Sequence, residues 1–331
     1  MGGYGKVMVT RKGAMRPASR LVLPKAPNIV RSVYGRPINL MGTVTVLQNS
    51  TGSLPENALF HPNDLPMELH GVKLVAYLSG SPTGDVGGHI LSMKLALGNI
   101  PLTNGFVPSF VLAKSTDDYG STFGAAAPSQ MAFRWKFDRP FFVPAGVPLS
   151  VSFRHNGLTD DSIVVEASFE GRTLEPGWKP RRVFYPYAAG YSSIPLRLDD
   201  TTADATQSSE DDLTNVRSMP LQVCRFVGRL TAGAIETSIG GDASQRQQSD
   251  AASSLVDIRI VASKGFPVVR NRTPFPCVFY YGDRAWDVRA TLTQKEYYKV
   301  YIDTVAPTTA LTAGTFMQAH IGMTGYSEVA A

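Results

Sequence analysis

The chain has 331 residues, 43% of them hydrophobic and 18% charged, with a formal net charge of +5. That length exceeds one typical domain and suits two, each able to bury its own core. Two cysteines, Cys224 and Cys277, exclude a disulfide-stapled scaffold, and no run approaches the ~18 apolar residues of a membrane-spanning helix.

The positive charge is concentrated at the start. Residues 1–55 contain Lys6, Arg11, Lys12, Arg16, Arg20, Lys25, Arg31 and Arg36, and the first acid is Glu56. Glycines and prolines interrupt this segment, which predicts an extended arm rather than a packed element. Its charge suits a polyanion, either nucleic acid or an acidic lipid surface. Its apolar residues Leu21, Val22, Leu23, Ile29, Val30, Ile38, Leu40 and Met41 suit a strap across a neighbouring subunit equally well. The opening MGGYGKVMVTRKG has no apolar h-region, and Lys6 stands where a myristoylation signal needs Ser or Thr. The expectation is a chain made in a cytoplasm, or exported by another route.

From residue 56 onward, strand patterns dominate. Phe133, Trp135 and Phe137 alternate with polar residues, as do Leu149, Val151 and Phe153, and then Val165, Ala167 and Phe169. Period two with one apolar face predicts half-buried antiparallel strands. Acids opening short segments suggest helical turns near 64–69 and 210–216. Residues 115–130, 199–212 and 237–254 read as long polar loops. Residues 176–195 are rich in proline and aromatics (Trp178, Phe184, Tyr185, Tyr187, Tyr191) and read as a linker packed against the seam between two units. In the second unit Val256, Ile258 and Ile260 alternate with polar residues, as do Trp286, Val288, Ala290 and Leu292. The predicted division is an arm over 1–55, a first unit over 56–175, the linker over 176–195 and a second unit over 196–331.

The two units repeat one pattern. Residues 93–112 (MKLALGNIPLTNGFVPSFVL) align without a gap on 259–278 (RIVASKGFPVVRNRTPFPCV), placing Pro101 on Pro267 and Pro108 on Pro274. Trp135 then falls on Trp286, Leu149 and Val151 on Val300 and Ile302, and Val165–Phe169 on Met317–Ile321. Matched pieces in the same order indicate a duplicated unit.

Catalytic and metal-binding patterns are missing. His61, His70, His89, His155 and His320 show no HxH or HExxH spacing. No G-x-S-x-G elbow and no phosphate-binding glycine loop follows a strand. The doublets Asp117-Asp118, Asp160-Asp161 and Asp199-Asp200 could serve as calcium ligands or glycosidase carboxylates. Neighbours in a strand face opposite ways, so solvated loop acids are the expectation. The cysteines lie in apolar runs and read as buried thiols, with a single disulfide between them as the alternative. No cofactor, no metal and no enzymatic activity are expected.

Tandem β units, proline-punctuated connections, polar loops and a basic arm together resemble the double jelly-roll major capsid proteins of tailless icosahedral viruses, including bacteriophages with an internal membrane. The stretch 137–151 (FDRPFFVPAGVPLSV) looks like a late strand pair of a jelly roll, turning at Pro144-Ala-Gly-Val-Pro148. The second copy has Lys295-Glu296-Tyr297 there instead. The resemblance implies an all-β fold of two eight-stranded antiparallel jelly-roll sandwiches with an extended N-terminal arm. It implies a homotrimer forming a pseudo-hexameric capsomer in a virion shell, assembled in host cytoplasm. Partners would be neighbouring capsomers, minor capsid or penton proteins, and genome or acidic lipid at the arm. Residues 237–254 would form an outward loop. Two other readings use the same features: a carbohydrate- or receptor-binding sandwich on a spike, and an enzyme on a β-sandwich scaffold.

Overall fold

A computed structural model of the protein describes residues 37–54, 65–79, 91–112, 131–155, 162–194, 196–197, 207–232, 256–279, 285–305 and 316–330. Alternating apolar residues build two sandwiches from them. The first contains β1 (Pro37–Val46), β2 (Thr51–Ser53), β3 (Met67–Leu78), β4 (Leu91–Leu97), β5 (Ile100–Pro101), β6 (Val107–Pro108), β7 (Met131–Val143), β8 (Leu149–His155) and β9 (Ile163–Thr173). A single turn of helix, α1 (Ser109–Leu112), follows β6. Strands β1-β9-β3-β7 form one sheet, and β2-β8-β4-β5 form the other, with β6 also on β4. Leu149, Val151 and Phe153 of β8 point inward while Ser150 and Arg154 point out. They join Leu95, Val165 and Phe169 in one core, where each fully buried large apolar side chain contributes ~1.5–3 kcal/mol.

The second sandwich repeats that plan. It contains β10 (Arg182–Ser192), β11 (Leu196–Arg197), β12 (Ser208–Thr214), β13 (Leu221–Ala232), β14 (Val256–Ala262), β15 (Pro267–Pro274), β16 (Ala285–Leu292), β17 (Tyr297–Thr304) and β18 (Phe316–Ala330), with helix α2 (Phe275–Val278) after β15. Its sheets run β10-β18-β13-β16 and β12-β17-β14-β15. Treating β5 and β6 as one interrupted strand and leaving out the short β11, both units show the order 1-8-3-6 facing 2-7-4-5. That is the eight-stranded jelly roll, so the fold is a double jelly roll. Val256, Ile258, Ile260, Val300 and Ile302 occupy a separate core.

Strand registers locate the duplication residue by residue. Pro101 pairs with Ala96 and Pro267 with Val261; Pro108 pairs with Ser92 and Pro274 with Asp257. The prolines are therefore equivalent. Trp135 opposite Val72 and Trp286 opposite Phe226 are equivalent too. Other matches shift. Met93 corresponds to Ile258, not Arg259, because the β14–β15 turn is one residue longer than the β4–β5 turn. A one-residue slip exchanges strand faces, and Arg259 instead lies over the Tyr301 ring at 3.9 Å. Phe169 lies opposite Val72 and Met323 opposite Phe226. Phe169 therefore corresponds to Met323, two residues past the sequence match. Val151 likewise corresponds to Val300. A two-residue slip preserves the buried face, so periodicity does not reveal it.

The copies also share features that the alignment did not use. The register shifts at His70 in β3 and at Cys224 in β13. Opposite each bulge stands a glycine, Gly171 or Gly325, where a Cβ would collide with the carbonyl of Glu68 or Gln222. The β7–β8 and β16–β17 turns match as well. Val147 N donates to Pro144 O at 3.3 Å and Glu296 N to Thr293 O at 3.1 Å. The third residue of each turn is left-handed: Gly146 at φ 74 and Lys295 at φ 65.

Several expectations change. Residues 37–53, assigned to the arm, supply β1 and β2. Leu40 and Val46 are buried, but the exposed Met41 breaks the alternation. Residues 182–192, assigned to the linker, form β10, the first strand of the second roll. The helical turns expected near 64–69 and 210–216 are strand over much of their length, in β3 and β12. Their acids meet cations instead: Glu68 with Arg172 at 2.9 Å, and Glu210 with Lys299 at 2.8 Å. Cys277, expected to be buried, is exposed, and Cys224 is half-buried. Burial, followed by the charge of Asp138, pushes the Cys224 thiol up to about 11.

Candidate functional site at the seam between the sandwiches

The two rolls lie side by side with corresponding ends together, and β10 forms the seam. Ala188 N donates to Leu102 O at 3.1 Å and Asn104 N to Ala188 O at 2.8 Å, so β10 bonds to the first roll through 102–104. Ala188 sits in the first core, while Tyr187 and Ala189 sit in the second. A strand covered on both faces loses the polar alternation that marks most strands here. As an edge strand it tolerates Pro186. The aromatics of the presumed linker pack here: Tyr185 against Phe141 at 6.1 Å, and Trp178 against Phe142 at 5.7 Å.

Arg217 closes one end of this seam. It is 2% exposed. Its Nε donates to Pro101 O at 2.6 Å, Nη1 to Tyr185 O at 3.0 Å and to Ser327 Oγ at 3.3 Å, and Nη2 to Pro186 O. The guanidinium also lies 4.6 Å from the Tyr187 ring centre, a favourable cation–π arrangement. Tyr187 Oη donates to Thr214 O at 2.6 Å and accepts from Val216 N at 3.2 Å. Burial brings Arg217 down to about 9, so it remains a cation at neutral pH. One side chain thus ties the β4–β5 side of the first roll to two strands of the second.

The remaining contacts fit helix to sheet and charge to charge. Gly190 of β10 and Gly322 of β18 are directly paired. A Cβ at Gly190 would lie 2.7 Å from Val111 Cγ2, and one at Gly322 would lie 2.7 Å from Val111 Cβ. The glycine pair therefore forms a shallow seat for α1 of the first roll on the outer face of the second roll's β10-β18-β13-β16 sheet. Val111 is fully buried there. Asp138 of β7 and Arg225 of β13 form an ion pair across the seam, both largely shielded. Arg139 lies over Phe184 at 5.9 Å and Tyr326 at 5.6 Å.

The arm residues Lys6, Arg11, Lys12, Arg16, Arg20, Lys25, Arg31 and Arg36 lie outside the described residues, as do the doublets at 117–118, 160–161 and 199–200 and the loops 115–130 and 237–254. The described strand ends still give the molecule a polarity. Val46, Leu78 and Ile163 lie together at one end of the first roll. At the same end β4 and β7 begin and β8 finishes. Residues 80–90, 113–130 and 156–161 therefore connect strands at that end. Residues 233–255, 280–284 and 306–315 do so in the second roll. The chain enters β1 at Pro37 at the opposite end, beside Arg172.

Arg217, the glycine seat and the Asp138–Arg225 pair were not anticipated from the sequence. Only the glycines left a trace there, as small residues inside otherwise β-prone segments. His320 is buried, with Nδ1 2.8 Å from Ser192 Oγ, whereas His70 lies exposed at its bulge. Among the described residues no group of three or more His, Cys, Asp or Glu side chains could hold a metal, and no helix is long and apolar enough to cross a membrane.

No protein-family model and no curated protein sequence matches the chain. Among solved structures, the major capsid protein P2 from bacteriophage PM2 is similar over 88% of this chain and 98% of its own, at 8% identity and a TM-score of 0.39. The STIV MCP is similar over 88% of this chain and 97% of its own, at 9% identity and a TM-score of 0.45. Peptide:N-glycanase F is similar over 88% of this chain and 98% of its own, at 9% identity and a TM-score of 0.31.

Proposed function

We propose that this chain is a major capsid protein of a tailless icosahedral virus and that three copies form a pseudo-hexameric capsomer. The seam carries the reading. Unit one supplies helix α1, and unit two receives it on the outer face of its 1-8-3-6 sheet. The contact is head-to-tail between like units, so it leaves one helix and one sheet face unused. A head-to-tail contact generates a ring when its rotation closes. Six like units fill a hexagonal tile, and two per chain makes that three chains. The polarity supports the same reading. The chain enters β1 at one end, so the basic arm would face genome or an acidic membrane there. The strand ends joined by 233–255 stand at the other end, so the outward loop 237–254 would face outside. Neighbouring capsomers and minor vertex proteins would meet the sides.

Native mass measurement and sedimentation at tens of micromolar test this. Three chain masses are expected, with hexagonal outlines or closed particles under the electron microscope. A stable monomer at that concentration would overturn the reading. Glycan-array binding by such a monomer would favour a spike instead.

A further inference from the structure

The two helices that follow the fifth strands are equivalent, because Pro108 and Pro274 are equivalent and precede them directly. Val111 of α1 therefore corresponds to Cys277 of α2. Their surroundings differ. Val111 is fully buried on the neighbouring roll, whereas Cys277 is exposed. The receiving faces correspond as well. Met41 pairs with Ser168 in the first roll where Gly190 pairs with Gly322 in the second. Lys73 pairs with Ser168 where Val227 pairs with Gly322. Val227 is 1% exposed beneath the first roll's helix, while Met41 is 59% exposed. One copy of the contact is thus made within the chain, and each half of a second copy stands uncovered.

We infer that α2 of one chain docks on the outer face of the β1-β9-β3-β7 sheet of a second copy, with Cys277 seated over Met41 and Ser168. This rests on the trimeric reading above and names its surface. The seat changes character between the two sites. Gly190, Gly322 and Val227 are small and apolar, whereas Met41, Ser168 and Lys73 present a methionine rimmed by polar groups. Beside them Glu170 is held by Lys73 at 2.5 Å and Arg134 at 3.1 Å. A more polar seat suits a face that meets water before subunits join.

Cysteine cross-linking of the full-length chain tests the docking. In a Cys224→Ser background, Met41→Cys sets a thiol opposite the native Cys277. In the equivalent contact inside the chain a Cβ at Gly190 would lie 2.7 Å from Val111 Cγ2; residue 41 carries a Cβ, so α2 stands farther off its seat, and a disulfide forms where the two Cβ atoms come within ~3.5–4.5 Å. Mild oxidation should convert most of the chain to covalent dimers and trimers on a non-reducing gel, and Cys277→Ser should abolish them. Met41→Arg should weaken subunit association at least tenfold. A native trimer without cross-links, or a ladder that survives Cys277→Ser, would overturn the docking and leave the trimer standing. A monomer by native mass would overturn both.

Discussion

Arg217 satisfies its burial with backbone oxygens rather than with an acid: Pro101 in the first roll, Tyr185 and Pro186 in the second. Removing it would take the guanidinium donors away from three carbonyls at the seam, and each buried group left unsatisfied costs ~1–3 kcal/mol. Arg217→Met keeps most of the apolar stem and should destabilise the protein by roughly 3–5 kcal/mol. By differential scanning calorimetry that is a fall of roughly 6–12 °C in the unfolding midpoint. A change under about 2 °C would mean that the guanidinium is not a tie between rolls. Nothing in the local sequence announces this residue. It sits in NVRSMP, which reads as an ordinary polar turn, and its partners come from segments 31 to 116 residues away.

Among the elements, legibility followed burial. Strands with one wetter face, such as β8 and β9, were plain from alternation, since water selects the polar positions and the core selects the rest. β10 was not, because both its faces are covered. β1 was obscured by an exposed methionine that, in the docking inferred above, another chain covers. The β16–β17 turn shows a different limit. Lys295-Glu296-Tyr297 in place of Pro144-Ala145-Gly146 suggested that this turn had diverged, yet its hydrogen bond and left-handed residue, Lys295 matching Gly146, repeat those of the first roll. Tertiary ties hold the lysine there. Its N–H donates to Asn215 O at 2.9 Å, and Lys264 lies 2.6 Å from Glu296, holding that carboxylate down at about 2. Lys295→Gly should relieve the left-handed backbone and stabilise the fold by roughly 0.5–1 kcal/mol in urea denaturation. A loss of stability would show that the lysine side chain makes a contact outweighing its strain.

For the whole molecule, the chain enters β1 at the end opposite the strand ends that 80–90, 113–130, 233–255 and 306–315 join, and this polarity supports the proposed role of the arm. Deleting residues 1–36 removes all eight of the arm's basic residues and none of the described strands. The truncated chain should keep its unfolding midpoint while losing normal assembly and binding to DNA or to acidic vesicles. Binding by the full chain should weaken linearly in log salt, because counterions are released. Normal particles from the truncated chain would end this view of the arm. The sequence by itself determined that the protein is β-rich, doubled and basic at one end, because alternation, repetition and charge are local properties that need no partner. Only the tertiary structure decided the registers, the boundaries and the seam. A two-residue slip leaves the alternation unchanged, and a glycine seat or a buried arginine acquires its meaning from residues distant in the chain.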